Sequence, residues 1–279
     1  MTISKSIRLI LISLTTSVFL LASGCGGGGG GSGDGDDGFP TPTLPADAAK
    51  FDALNANAIA VTAVGFVGTL DTVAELKTET SPSLPEVARS LADRIMRQRR
   101  TSTSIAARTE DISAGLCVTG TASAVFEESG TSESGSVTFT ICDIGGIVIN
   151  GSFSYDASMN ATTLNYSFHV GGSLAMAVNT ESITIVMNLL ETGNDGTGAI
   201  SSDVSFSLSG IPDSGFLVTT EQAWAGNVLS AEITDGQLII YGSDNTRLRI
   251  TVTSPNEADV DLDNGSGTFV FDSTISLIP

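Results

Sequence analysis

The chain has 279 residues, enough for one or two domains. It carries 12 basic and 31 acidic residues, a net charge of −19, with 41% hydrophobic and only 6% aromatic residues. That balance excludes the phosphate-neutralising surface a nucleic-acid partner needs, and the single histidine, His169, excludes a multi-histidine metal site.

Residues 1–24 read as an export signal. Lys5 and Arg8 precede an apolar run from Leu9 to Leu21, and small residues, Ala22-Ser23-Gly24, stand before Cys25. The run is too short for a membrane span, which takes about 20 apolar residues. This segment resembles the lipobox of bacterial lipoproteins, with Ala22 where leucine is more usual. The resemblance implies that the Cys25 thiol is lipidated and the preceding peptide removed. Gly26 stands where inner-membrane retention reads an aspartate, so the resemblance also implies the outer membrane.

Residues 25–44 read as a flexible tether. Six successive glycines, Gly26–Gly31, have no preferred conformation. The run from Gly33 to Gly38 fits G-x-G-x-x-G, but no strand precedes it and its three aspartates repel a pyrophosphate, so it is not a dinucleotide site.

Residues 45–108 read as a helical segment. Pro45 suits a first helical position, and Phe51, Leu54, Ala58, Val61, Val64, Val67 and Leu70 form an apolar stripe at helical spacing. A second helix is expected from Pro85, with Val87, Leu91 and Ile95 on one side. Six arginines between Arg89 and Arg108 outnumber Glu86 and Asp93, which makes a basic patch. It reads as a solvated face or as a docking element for the acidic domain that follows, ahead of a contact with anionic lipid phosphates, which the acidic face would repel.

Residues 109–279 read as an acidic antiparallel β domain with 21 acids and two bases, Arg247 and Arg249. The apolar period changes from 3.6 to 2, as in Ser136–Cys142, Leu164–Val170, Val204–Leu208 and Leu248–Val252. Turn signals recur at Asn150-Gly151, Gly171-Gly172, Gly193–Gly196, Asp235-Gly236 and Asn264-Gly265. The fold class is therefore mainly β with an N-terminal helical segment. The expected architecture is a meander of about 10–12 strands, curled into a barrel or split into a sandwich. A membrane barrel needs aromatic girdles, which one Trp and three Tyr do not supply.

Three sites are candidates. Cys117 and Cys142 pair in an oxidising compartment, at roughly 3.5 kcal/mol in the chain-entropy model; the alternative is two buried thiols. Asp259, Asp261 and Asp263 resemble the opening of a calcium loop, but the glycine arrives one position late and Val270 stands where a glutamate belongs. The plainer reading is a strand with an acidic wet face that ends in an Asn-Gly turn. By parity, His169 shares the wet face with Asn165 and Ser167.

The lipobox, the polyglycine tether, the Asn-Ala run Leu54–Ala58 and the acidic strand domain together resemble Gram-negative lipoproteins to which no activity is attached. The resemblance implies location and no chemistry. The leading expectation is a non-enzymatic binding or structural module, lipid-anchored at the outer membrane, with an envelope protein or apolar ligand as partner and calcium as the one cofactor in question. Two other readings are a periplasmic carrier or chaperone for an apolar ligand or lipoprotein, and a hydrolase using acids such as Asp143, Asp156 or Asp203.

Overall fold

The computed structural model describes residues 39–68, 108–113, 117–129, 131–144, 146, 148–178, 181–210, 213–227, 230 and 232–277. Cys25, the glycine run, the second helix expected from Pro85 and the arginines from Arg89 to Arg100 lie outside them.

The β domain is one antiparallel sheet of twelve strands, each paired with its sequence neighbours. The strands are β1 (Arg108–Asp111), β2 (Thr119–Ser129), β3 (Ser132–Asp143), β4 (Val148–Met159), β5 (Asn165–Val178) and β6 (Glu181–Asn194). Then come β7 (Ala199–Ser209), β8 (Phe216–Asn227), β9 (Glu232–Tyr241), β10 (Arg247–Ser254), β11 (Glu257–Asp263) and β12 (Val270–Ser276). The expected meander is the observed one, and β1 and β12 are its two edges.

Alternation explains the curl. Along β4, Ile149, Phe153, Tyr155 and Ala157 turn inward while Ser152, Ser154 and Asp156 turn outward. Inward side chains from β2 to β12 join one core with residues of the helix. The outward face of β3–β7 is small and polar. One cross-strand row runs Thr138, Ser152, Ser173, Val186, Ser207. A membrane barrel presents the opposite, an apolar outward band.

Three expected turns lie inside strands. Asn150-Gly151 is in β4, Gly171-Gly172 in β5 and Asp235-Gly236 in β9. These glycines mark close approaches rather than chain reversals. The signals at Gly193–Gly196 and Asn264-Gly265 do reverse the chain, between β6 and β7 and between β11 and β12.

The first helix starts later than expected and is differently phased. Helix α1 spans Ala56–Gly68. It buries Ala56, Ile59, Ala60, Ala63 and Val64 against β10–β12. Of the expected stripe, Val64 is buried in the helix, Phe51 is buried ahead of it, and Leu54 and Val61 are exposed. The start is set by a cap rather than by Pro45. Asp52 Oδ1 accepts from the Leu54 and Asn55 amides, and Asn55 Oδ1 accepts from the Asp52 amide. This is a reciprocal box that satisfies free donors of the first turn.

Residues 39–51 form a strap instead of a helix, because their backbone groups bond to the sheet. Ala48 makes a parallel bridge to Gly215, Ala49 N–H donates to Gly215 O, and Ser243 N–H donates to Ala49 O. The Gly210 amide donates to Asp47 Oδ2 at 2.6 Å. The Phe51 amide donates to Thr246 Oγ1. Residues 39–44 of the expected tether thus belong to the folded body, with Phe39 and Pro42 buried. Among the described residues, no helix is long and apolar enough to cross a membrane.

Candidate functional site

The meander gives the sheet two rims. One holds the β1–β2, β3–β4, β7–β8, β9–β10 and β11–β12 connections, and the other holds the β2–β3, β4–β5, β6–β7 and β8–β9 turns. The residues singled out from sequence fall mostly on the first.

Cys117 and Cys142 are bonded, with Cα atoms 5.2 Å apart. Cys142 is the penultimate residue of β3, and Cys117 stands just before β2. Beside the bond, Ile141 has a φ of 49°. Its amide donates to Asn150 Oδ1, where the β3–β4 register slips.

The three aspartates share the outward face of β11, as period 2 requires. Register places Asp263 opposite Arg247, Asp261 opposite Arg249 and Asp259 opposite Thr251. Asp263 Oδ2 accepts from Arg247 Nη2 at 2.6 Å and Nε at 3.2 Å. Its Oδ1 accepts from the Gly265 and Gly267 amides, which folds the β11–β12 loop around it. Asp261 Oδ2 accepts from Arg249 Nη2 at 2.7 Å and Nε at 3.0 Å. Asp259 accepts from Thr274 Oγ1. Phe269 covers both guanidinium groups, at 5.0 and 4.6 Å. Two of the three carboxylates that a calcium ion would have held, Asp261 and Asp263, meet arginines instead. Among the described residues, no three acidic, histidine or cysteine groups are placed to hold a metal. The Arg247 guanidinium and the loop amides hold the Asp263 carboxyl below the usual range, against an opposing effect of burial. The alternating pair Arg247, Arg249 ahead of the alternating aspartates was the available signal for this ladder.

His169 lies on the outward face but is half-buried. The Phe39 ring stacks on it at 3.8 Å. Its Nε2 lies 2.7 Å from Asn188 Oδ1, within hydrogen-bond distance. Phe39 fits there because Gly171 lies beneath it: a Cβ on Gly171 would stand 2.8 Å from the ring. The acids considered for hydrolysis do not converge. His169 and Leu190 separate Asp156 from Asp203 along one outward row. Asp143 accepts from the Gly146 amide in the β3–β4 connection.

The second rim holds a constellation that sequence reading missed. One inward row runs Glu133, Ala157, Phe168, Glu191, Ser202, Trp224 across β3 to β8. Tyr155 O–H donates to Glu133 Oε1 at 2.8 Å, and Tyr166 O–H donates to Glu191 Oε1 at 2.9 Å. Each tyrosine lies over the glycine opposite it, Gly135 or Gly193, two residues from the glutamate that it bonds. Glu133, Ser202 and Trp224 are buried, whereas Glu191 and Tyr166 are half-buried. Trp224 Nε1–H has no acceptor among the described residues. The repeated Glu-Ser-Gly at 133–135 and Glu-Thr-Gly at 191–193 was the available signal, since period 2 puts Glu and Gly on one face.

Comparisons with protein-family models, curated proteins and solved structures give no match.

Proposed function

We propose that the protein is a lipid-anchored component of the bacterial cell envelope, whose β domain is a non-enzymatic binding or structural module held at the outer membrane. The observation that carries this reading is the junction between tether and body. The lipobox-like cysteine and the glycine run lead straight into Phe39, which is locked on the outward face of β5 by His169 and Gly171. The 14 residues from Cys25 to Phe39 reach about 45–50 Å when extended and about 20 Å as a soft coil. A domain on that leash stays close to the bilayer while its polar outward face stays in water. Carriage of an apolar ligand draws no support from the inward face, where Phe153, Phe216, Leu238, Ile240, Leu248 and Ile250 pack into one core.

The test is mass spectrometry of the mature N-terminus, with fractionation of the envelope. The expected result is an acylated Cys25 in the outer-membrane fraction and a soluble periplasmic protein for Cys25→Ala. A mature N-terminus without acyl chains, or an unchanged distribution of Cys25→Ala, overturns the reading.

A further inference from the structure

Alternation along β3 predicts an inward Ile141, since Val137 and Phe139 ahead of it are buried. Ile141 is instead 61% exposed, and Cys142 is buried in its place. The cause is one extra residue. From Phe139 to Cys142 the strand advances three residues, while β4 advances two, from Gly151 to Ile149. Likewise β3 advances three residues from Thr140 to Asp143, while β2 advances two, from Thr121 to Thr119. The bulge therefore crosses both pairings. It places Ile141 at a φ of 49°, with Gly120 at 81° on β2 and Gly151 at 120° on β4. Glycine accepts that region freely, and a β-branched residue does so only under strain.

An alternative register removes both the strain and the exposure. Continuing the β3–β4 pairing past Phe139 and Gly151 without the bulge sets Thr140 against Asn150 and Ile141 against Ile149. Ile149 belongs to the core, and directly paired residues share a face, so Ile141 turns inward. The continued β2–β3 pairing sets Gly120 against Ile141, and glycine has no side chain to compete for the space. The β3–β4 connection gains one residue, and it holds Gly146, where even a Cβ would meet nothing within 4 Å. In this register Cys142 turns outward, away from Cys117, which packs against the core from just before β2. The Cys117–Cys142 bond and the alternating register therefore exclude one another.

We propose that the Cys117–Cys142 bond is a redox switch for the end of β3: the bond holds the bulged register, and its reduction lets Ile141 move into the core and Cys142 move out. A dithiol is the reductant. Its thiolate attacks Sγ of Cys117, which is half-buried where Cys142 is enclosed. The bond between the two sulfurs breaks, and Cys142 leaves as a thiolate that takes up a proton. The second thiol of the reductant then displaces Cys117, which takes up a proton in turn, and the reductant is left as a disulfide. The protein gains two electrons and two protons. This inference rests neither on the lipid anchor nor on a binding role for the β domain.

The experiment takes the full mature chain, carrying Cys25→Ser and ¹³C-labelled isoleucine methyl groups, before and after treatment with dithiothreitol. The expected result of reduction is a new nuclear Overhauser contact between the methyl groups of Ile141 and Ile149, while amides of β6–β8 stay protected from exchange. After removal of the dithiothreitol, iodoacetamide should alkylate Cys142 at least about tenfold faster than in reduced Ile141→Gly. Glycine is unstrained at that φ and has nothing to bury, so this variant keeps the bulge without the bond. Ile141→Asn, whose side chain also tolerates the left-handed region, is the second variant if Ile141→Gly does not fold. A reduced chain with no contact between Ile141 and Ile149 overturns the proposal. So does alkylation of Cys142 that is equally fast in the variant, which would mean simple loosening, and so does loss of protection across the whole sheet.

Discussion

The two rims of the sheet are built by different chemistry. At one rim, backbone ends are tied down by a covalent bond, a strap and an arginine-clamped loop. The Cys117–Cys142 bond holds the start of β2 to the end of β3. Asp47, Ala49 and Phe51 cross the β7–β8 and β9–β10 connections. Asp263 gathers the β11–β12 loop. At the other rim neighbouring turns are tied by asparagines, Asn194 Nδ2 donating to Thr163 O and Asn227 Nδ2 to Thr197 O, alongside a belt of two Tyr–Glu pairs and an indole N–H with no acceptor among the described residues. The contrast teaches that one rim is held by a covalent bond and a strap from far along the chain, and the other by asparagines that join neighbouring turns.

The largest expected effect breaks the fastened rim. Replacing both Cys117 and Cys142 by alanine should cost about 3.5 kcal/mol, read as a lower urea midpoint. A reductant should lower the wild-type midpoint and leave that of the double variant unchanged. A wild-type midpoint that ignores complete reduction would show that the bond constrains nothing.

Next comes Asp263. Its pKa is lowered in the folded state, chiefly by Arg247. The unfolded chain therefore takes up the proton first as pH falls. The stabilisation is fully present above the ordinary aspartate range and is lost as pH drops through the lower folded value. Asp263→Asn should remove that part of the acid dependence and loosen the β11–β12 loop. Asp261→Asn, at a position without loop amides, should loosen that loop less. Equal acid profiles for wild type and Asp263→Asn by urea melts would refute this.

How much of this was legible follows from range. Period 2 in Leu248–Val252 and Val260–Leu262 is local, so the strands and the meander were readable. The Asp–Arg ladder was not, because it depends on register between β10 and β11, which no single strand encodes. The phase of α1 was misread because the strap's bonds to Gly215 and Ser243 outweigh the helical pattern at Phe51 and Leu54. The belt needed five registers at once, from β3 with β4 through to β7 with β8.

The strap gives the next effect. Phe39→Ala removes an apolar side chain buried on the outward face and should release about 2 kcal/mol of local stabilisation. Gly171→Ala attacks the same contact from the other side, since its methyl group would meet the ring. Both should raise hydrogen exchange in residues 39–51 while amides of β5 and β6 stay protected. Uniform deprotection of the sheet would mean that the strap is part of the core rather than a tie laid upon it.

The smallest expected effect probes the belt. Tyr155→Phe deletes one hydroxyl, which donates to the buried Glu133 carboxylate. The loss should be about 1.5 kcal/mol, less than either cysteine or strap variants. Tyr166→Phe makes the identical deletion beside Glu191, which is half-buried where Glu133 is buried, and should cost less. Because the two tyrosines sit over glycines in the same way, any difference between the variants in urea midpoint reports the burial of the glutamate and not the chemistry removed. Equal losses would mean that burial does not set the worth of the bond.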